Sequence, residues 1–228
     1  MTLNIKTKQL ELLLNDFELL SETAIRQMEI AHELLLDNTK KELHQEAKAN
    51  ELILDRLEIK VREEVVFTIF QFNPVASDLR KIVTYQDVTT NLERVGDMLL
   101  KTIRFIREID FKAPEFTIVY QKIDEMMKYA SEMLRDAVNS FLKEDSKLAY
   151  QVIKEDDKVD NLFREIAKEL QEAFANKHLT KKQVESIINA NAIAYNLERI
   201  GDSATNVAEA AIYLTDGQDI RHFDKLNK

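Results

Sequence analysis

The chain has 228 residues and carries 41 acidic against 32 basic side chains, a formal net charge of −9. That balance argues against a nucleic-acid backbone or an anionic lipid surface as the main partner, and suits a cation or a basic protein surface. The absence of cysteine excludes disulfides, thiolate metal sites and thiol catalysis together.

With 45% hydrophobic residues but only three glycines and two prolines, the chain has a core to bury, few turns and long elements. Alternation of β-branched and aromatic residues is scarce, so the class is all-α. Lys6, Lys8, Glu11 and Asp16 interrupt the N-terminal apolar residues. No signal peptide is read there, and nowhere is there a stretch near the ~20 apolar residues that a spanning helix needs. A cytoplasmic protein with no membrane insertion is expected.

Leu10, Leu13, Leu14, Phe17, Leu20 and Ala24 recur at helical spacing and predict a first helix to about Asp37. Thr39-Lys40-Lys41-Glu42 has capping-box spacing and opens a second, with Leu54, Leu57, Val61 and Val65 on one stripe, ending near Phe72. Asn73-Pro74 reads as a cap followed by a helix-opening proline. The third helix, to about Asp110, has Val88, Leu92, Val95, Leu99 and Ile103 on its face.

Ala113-Pro114 is the best domain boundary. A fourth helix (about Glu115 to Leu142) carries a methionine-bearing face that is ordinary core. Asp145 caps a fifth to about Ala175. Thr180-Lys181-Lys182-Gln183 repeats the capping-box spacing and opens a sixth, ending near Asp216-Gly217. The expected architecture is two tandem homologous antiparallel three-helix bundles, packed like spectrin repeats, over residues 1–112 and 113–228.

The homology is internal. Asn91-Leu92-Glu93-Arg94-Val95-Gly96-Asp97 returns 105 positions later as Asn196-Leu197-Glu198-Arg199-Ile200-Gly201-Asp202. The same shift pairs Asp55 with Asp160, Leu57 with Leu162, Glu64 with Glu169 and Ile82 with Ile187. A fixed-period self-match of this kind marks a duplicated unit.

Four acid-x-x-x-acid pairs stand in the two units: Glu51/Asp55, Glu93/Asp97, Asp156/Asp160 and Glu198/Asp202. Residues four apart share a helix face, and like charges there disfavour the helix by roughly 0.2–0.5 kcal/mol per pair. If the second and third helices fold back at Pro74, Glu51 stands beside Asp97 and Asp55 beside Glu93. A fold near Leu179 likewise brings Asp156 to Asp202 and Asp160 to Glu198. Each hairpin then gathers four acids at one level, on the flank of the core stripe and near the surface.

Gly96 and Gly201 lie mid-helix in these blocks, where each costs ~1 kcal/mol relative to Ala. They leave room for a neighbouring helix or for a bound group. A solvated face neutralised by Arg94, Arg199 and lysines is the plain alternative for all eight acids.

Oxygen-only ligands indicate a hard or borderline divalent or trivalent cation: iron, manganese, magnesium, calcium or zinc. Iron or zinc is the expectation, with magnesium or manganese as alternatives. A ferritin-like di-iron oxidase wants Glu-x-x-His on each of two helices, and the chain offers one, Glu29-x-x-His32.

The repeated block resembles the PhoU family of bacterial phosphate-signalling regulators. The likeness extends to Pro74-Val75-Ala76-Ser77-Asp78-Leu79-Arg80, to Asn191-Ala192-Ile193-Ala194-Tyr195, and to the tail from Tyr213 to His222. The resemblance implies two three-helix bundles whose E/D-x-x-x-D motifs hold multinuclear metal clusters on the surface. It also implies a non-enzymatic negative regulator of the phosphate-starvation response, a homodimer, in contact with a phosphate ABC transporter ATPase and a sensor histidine kinase.

The metal residues it would assign are Glu51, Asp55, Glu93, Asp97, Asp156, Asp160, Glu198 and Asp202. Two departures stand out. Leu179 to Glu185 replace a Pro-x-x-x-Asp-Leu-Arg turn, and Ser203 follows Asp202 where a histidine is frequent. A carboxylate-ligated metal-dependent hydrolase and a metal-free helical adaptor are the competing readings.

Overall fold

Six amphipathic segments become six helices because each carries an apolar stripe that only a neighbouring helix can cover. The computed structural model describes residues 2–175 and 177–220, with side chains described from residue 11. The side chains of Lys6, Lys8 and Leu10, together with Arg221 and His222, all used above, lie outside the described residues.

The helices are α1 (Thr2–Leu36), α2 (Lys41–Phe72), α3 (Ala76–Glu108), α4 (Thr117–Leu142), α5 (Ser146–Phe174) and α6 (Lys181–Asp216). A 3-10 turn over Pro114–Phe116 precedes α4. No strand occurs among the described residues, and none of the helices is long and apolar enough to cross a membrane. The shift of 105 survives in the backbone: α2 and α5 start at Lys41 and Ser146, α3 and α6 at Ala76 and Lys181.

α1, α2 and α3 pack on one another, as do α4, α5 and α6. The two sets are also joined, α3 against α6 and α1 against α4. One apolar core therefore runs from Phe17 in α1 to Ile212 in α6. Phe17 lies 4.8 Å from Tyr85 and 5.2 Å from Phe141 between ring centroids, and Tyr85 to Phe141 is 5.2 Å, so one aromatic cluster ties α1, α3 and α4. Met126, Met127 and Met133 are buried in the same core.

Two helix ends differ from expectation. The Thr39 capping box does not form. The Thr39 hydroxyl donates to Asp37 Oδ1 at 2.6 Å, in competition with the helix, and Lys40 occupies the N-cap without a side-chain cap. Asn73 ends α2 and does not begin α3: it adopts the left-handed conformation (φ 42°) and donates its backbone N–H to Ile69 O. Asn tolerates that conformation better than most side chains.

The other two caps form as expected. Asp145 accepts from the N–H groups of Lys147 and Leu148, and Thr180 with Gln183 makes a full capping box.

Candidate metal centre: two acidic hairpins

Leu92, Val95 and Leu99 of α3 are fully buried, as are Leu197, Ile200 and Ala204 of α6. With those stripes in the core, the helical period leaves Glu93, Asp97, Glu198 and Asp202 at the flank, partly exposed. α2 and α5 run alongside and bring their acids to the same flank.

In the first hairpin Glu51 lies directly against Asp97, with Asp55 and Glu93 within electrostatic reach of Glu51, and Glu93 feels both Asp97 and Asp55. In the second, Asp156 feels Asp202 and Asp160, and Glu198 feels Asp202, Asp160 and Asp156. The structure thus brings the eight acids together as two sets of four.

Burial and mutual repulsion raise several of these acids. Burial, then the shared hydrogen bond with Asp97, pushes Glu51 up to about 8. Burial and the charge on Asp202 push Asp156 up to about 6, against a pull from the Thr205 hydroxyl. Glu93 and Glu198 are raised for the same reasons, burial first. Asp97 moves down, because Lys101 donates to its Oδ2 at 2.7 Å and outweighs its burial.

Among the described residues no donor faces the buried Glu51 Oε2 or Glu198 Oε2. Asp97 is itself an acceptor, so it bonds Glu51 only when one of the two carries a proton.

The two mid-helix glycines occupy equivalent places. A Cβ on Gly96 would meet Leu54 Cδ1 well inside contact distance, with Glu51 Oε2 at 3.6 Å. A Cβ on Gly201 would lie 3.3 Å from Val159 Cγ1 and 3.4 Å from Asp156 Oδ1. In both hairpins the missing side chain lets a carboxylate of the facing helix settle into the groove.

Counter-charges are also present, as the plain alternative expects of Arg199 and lysines. Lys101 pairs with Asp97, Arg164 with Asp160 at 3.0 Å, and Arg199 with Asp202 at 3.0 Å. Lys101 and Arg164 each sit four residues after an acid, the i,i+4 signal that would have found them. A further carboxylate pair, Asp16 and Glu64, lies between α1 and α2 with Lys60 Nζ 2.6 Å from Asp16.

The donor set is all oxygen, with two buried oxygens lacking a donor, and this chemistry suits a hard or borderline cation. The arrangement is less ready: among the described residues no group of three or more His, Asp or Glu side chains is placed to hold an ion. Three of the eight acids are instead turned to the cations just named. His32 is not poised as a ligand; its Nε2 lies 2.7 Å from Asp124 Oδ1 and links α1 to α4.

The blocks also join the two halves. Asn196 Nδ2 donates to Thr102 Oγ1 at 3.1 Å in a buried contact between α6 and α3. Asn206 Nδ2 donates to Asn91 Oδ1 across the same interface at 3.4 Å.

A duplicated three-helix unit, with four carboxylates facing across the last hairpin of each copy, defines an all-α tandem-repeat protein with twin acidic hairpins. The chain belongs to the PhoU domain family, whose model matches residues 17–106 and 123–211. It is similar to the phosphate-specific transport system accessory protein PhoU homolog of Clostridium acetobutylicum, 30% identical over 169 residues, covering 74% of this chain and 75% of that one. The phosphate-specific transport system accessory protein PhoU of Escherichia coli is 29% identical over 177 residues, covering 77% and 71%.

The crystal structure of PhoU from Pseudomonas aeruginosa superposes with a TM-score of 0.84 at 25% identity, over 93% of this chain and 99% of that one. The PhoU of Streptococcus pneumoniae, at 19% identity and a TM-score of 0.80 over 94% and 98%, shares the fold.

Proposed function

We propose that this protein is an accessory regulator of phosphate transport that catalyses no reaction and binds metal ions at its two acidic hairpins. In this reading it restrains the phosphate-starvation response from the cytoplasm, as a homodimer, by contact with the ATPase of a phosphate ABC transporter and with a sensor histidine kinase. Membership of the PhoU family and relatives named as accessory proteins of phosphate-specific transport support the regulatory role.

The observation that carries the metal reading is the recurrence of four mutually repelling carboxylates in both repeats. Such a set opposes folding unless a positive charge joins it. Glu51, Asp55, Glu93 and Asp97 would hold one cluster, and Asp156, Asp160, Glu198 and Asp202 the other. Iron or zinc is favoured over magnesium or manganese. The metal would supply the missing charge and cross-link each hairpin. Asp97, Asp160 and Asp202 would exchange Lys101, Arg164 and Arg199 for the ion, giving up exposed pairs worth only about 0.2–1 kcal/mol each.

Elemental analysis of protein purified without added metal, beside Glu93→Gln and Glu198→Gln, tests this. Each substitution should lower the bound metal, and a stoichiometry unchanged by both would rule the sites out. A metal-free adaptor is the second reading, favoured by the three existing ion pairs. It requires partner binding that survives chelation and weakens with salt.

A further inference from the structure

Along the α2/α3 groove, one to three helical turns from the first acidic cluster, the charge reverses. His44 and Lys48 on α2 and Arg104 and Arg107 on α3, with Leu100 and Ile103 as the apolar wall, line a concavity of about 390 Å³. That lies within the roughly 300–1,000 Å³ of small-ligand sites.

The spacing makes the convergence. His44 and Lys48 are four apart, Leu100, Arg104 and Arg107 follow at four and three, and α2 runs antiparallel to α3, so the stripes face each other. Lys48 and Arg104 form no salt bridge among the described residues, although the Arg104 charge reaches Asp97 of the acidic cluster, on a chain of net charge −9. Arg107 makes only a 3.4 Å contact with Glu108, and His44 Nε2 faces Asn38 Oδ1 at 3.0 Å.

The equivalent positions of the second repeat carry no basic side chain. The shift of 105 that preserves the acids replaces His44, Lys48, Arg104 and Arg107 by Ala149, Ile153, Glu209 and Ile212. The basic groove is therefore no by-product of the duplicated architecture. Guanidinium groups present planar forks that match tetrahedral oxyanions, and lysine adds a point charge.

We propose that this groove is a binding site for a phosphoryl oxyanion, held by Arg104 and Arg107 with Lys48 and His44. The ligand is free orthophosphate or the phosphate chain of a larger small molecule, since both present the same oxygens. The site stands on the charge and shape of the groove and needs neither metal nor protein partner, so it and the regulatory reading above fail separately.

Isothermal titration of metal-free full-length protein at fixed ionic strength, with inorganic phosphate, pyrophosphate and ATP in turn, tests it. Saturable binding of at least one is expected, weakened about tenfold or more by Arg104→Gln with Arg107→Gln and less by Lys48→Gln. Lys154→Gln with Lys158→Gln, in the second repeat, should leave it unchanged. Binding of orthophosphate identifies the free anion, and binding of only the longer probes identifies a phosphate chain. Thermal melts establish that the variants are folded. No saturable binding of any probe, or binding indifferent to loss of both arginines, overturns the proposal.

Discussion

Asp156 on α5 sits over Gly201 on α6, so that a Cβ added to the glycine would stand 3.4 Å from the carboxylate oxygen Oδ1. The equivalent pair in the first repeat is Glu51 over Gly96, at 3.6 Å, but there the Cβ would also strike the buried Leu54. The same sequence block thus has different tolerance in its two copies. Gly96→Ala should destabilise, because overpacking of about 1–3 kcal/mol exceeds a helix-propensity gain of about 1 kcal/mol. Gly201→Ala should fall within about 1 kcal/mol of the parent, its contacts needing only small shifts. Urea unfolding of both variants checks the order, and equal losses would show that Leu54 moves freely.

Stability should fall as pH rises. Glu51, raised to about 8, and Asp156, raised to about 6, hold their protons more tightly folded than unfolded. Their contribution is complete below the unfolded carboxylate range near 4 and is lost as pH climbs through the folded values. Asp97, held low by Lys101, acts in the opposite sense: its contribution is present above the unfolded value and lost on acidification. Chelator-treated protein should therefore melt at lower temperature at pH 8.5 than at pH 6 (chosen to bracket about 8). Glu51→Gln should flatten that difference. A melting temperature independent of pH across this window in the parent would contradict the buried placement of Glu51.

Lys101 competes with any cation for Asp97. Lys101→Gln should tighten manganese binding at the first cluster about two- to fivefold, the worth of an exposed ion pair. Arg164→Gln should do so only at the second, where Arg164 holds Asp160. Manganese titrations followed by electron paramagnetic resonance, each in a background with the other cluster disabled by Glu93→Gln or Glu198→Gln, read the two separately. Weaker binding in either variant would mean that the basic side chain supports the ion.

The two equivalent asparagines should differ in cost. Asn196 is buried and bonds Thr102 across α3/α6, so Asn196→Ala should cost about 1–3 kcal/mol. Asn91 is partly exposed, donating to Asp87 O of its own helix at 3.0 Å and accepting from Asn206 at 3.4 Å, and Asn91→Ala should cost less, under about 1 kcal/mol. Chemical denaturation of the two single variants decides it.

Much of the candidate site was legible because its logic is local and periodic. Acids four apart on one face, folded about a predicted turn, must meet at equal distance from it, and Glu51 does lie against Asp97. The counter-ions were less legible: Lys101 and Arg164 look like any i,i+4 partners until the rotamers are seen. The caps show the same limit. Thr39 and Thr180 carry the same spacing, yet only Thr180 caps, because Asp37 captures the Thr39 hydroxyl.

The sequence by itself determined the six helices, their duplication in two sets of three and the flank on which the acids stand, since apolar period and repeat shift are properties of the chain in one dimension. Only the tertiary structure decided that α3 packs on α6 to merge two repeats into one core, and that His44 and Lys48 meet Arg104 and Arg107 in a single groove. Those outcomes depend on which helix faces lie together in space. Burial of apolar area drives that choice and is indifferent to the order of residues along the chain.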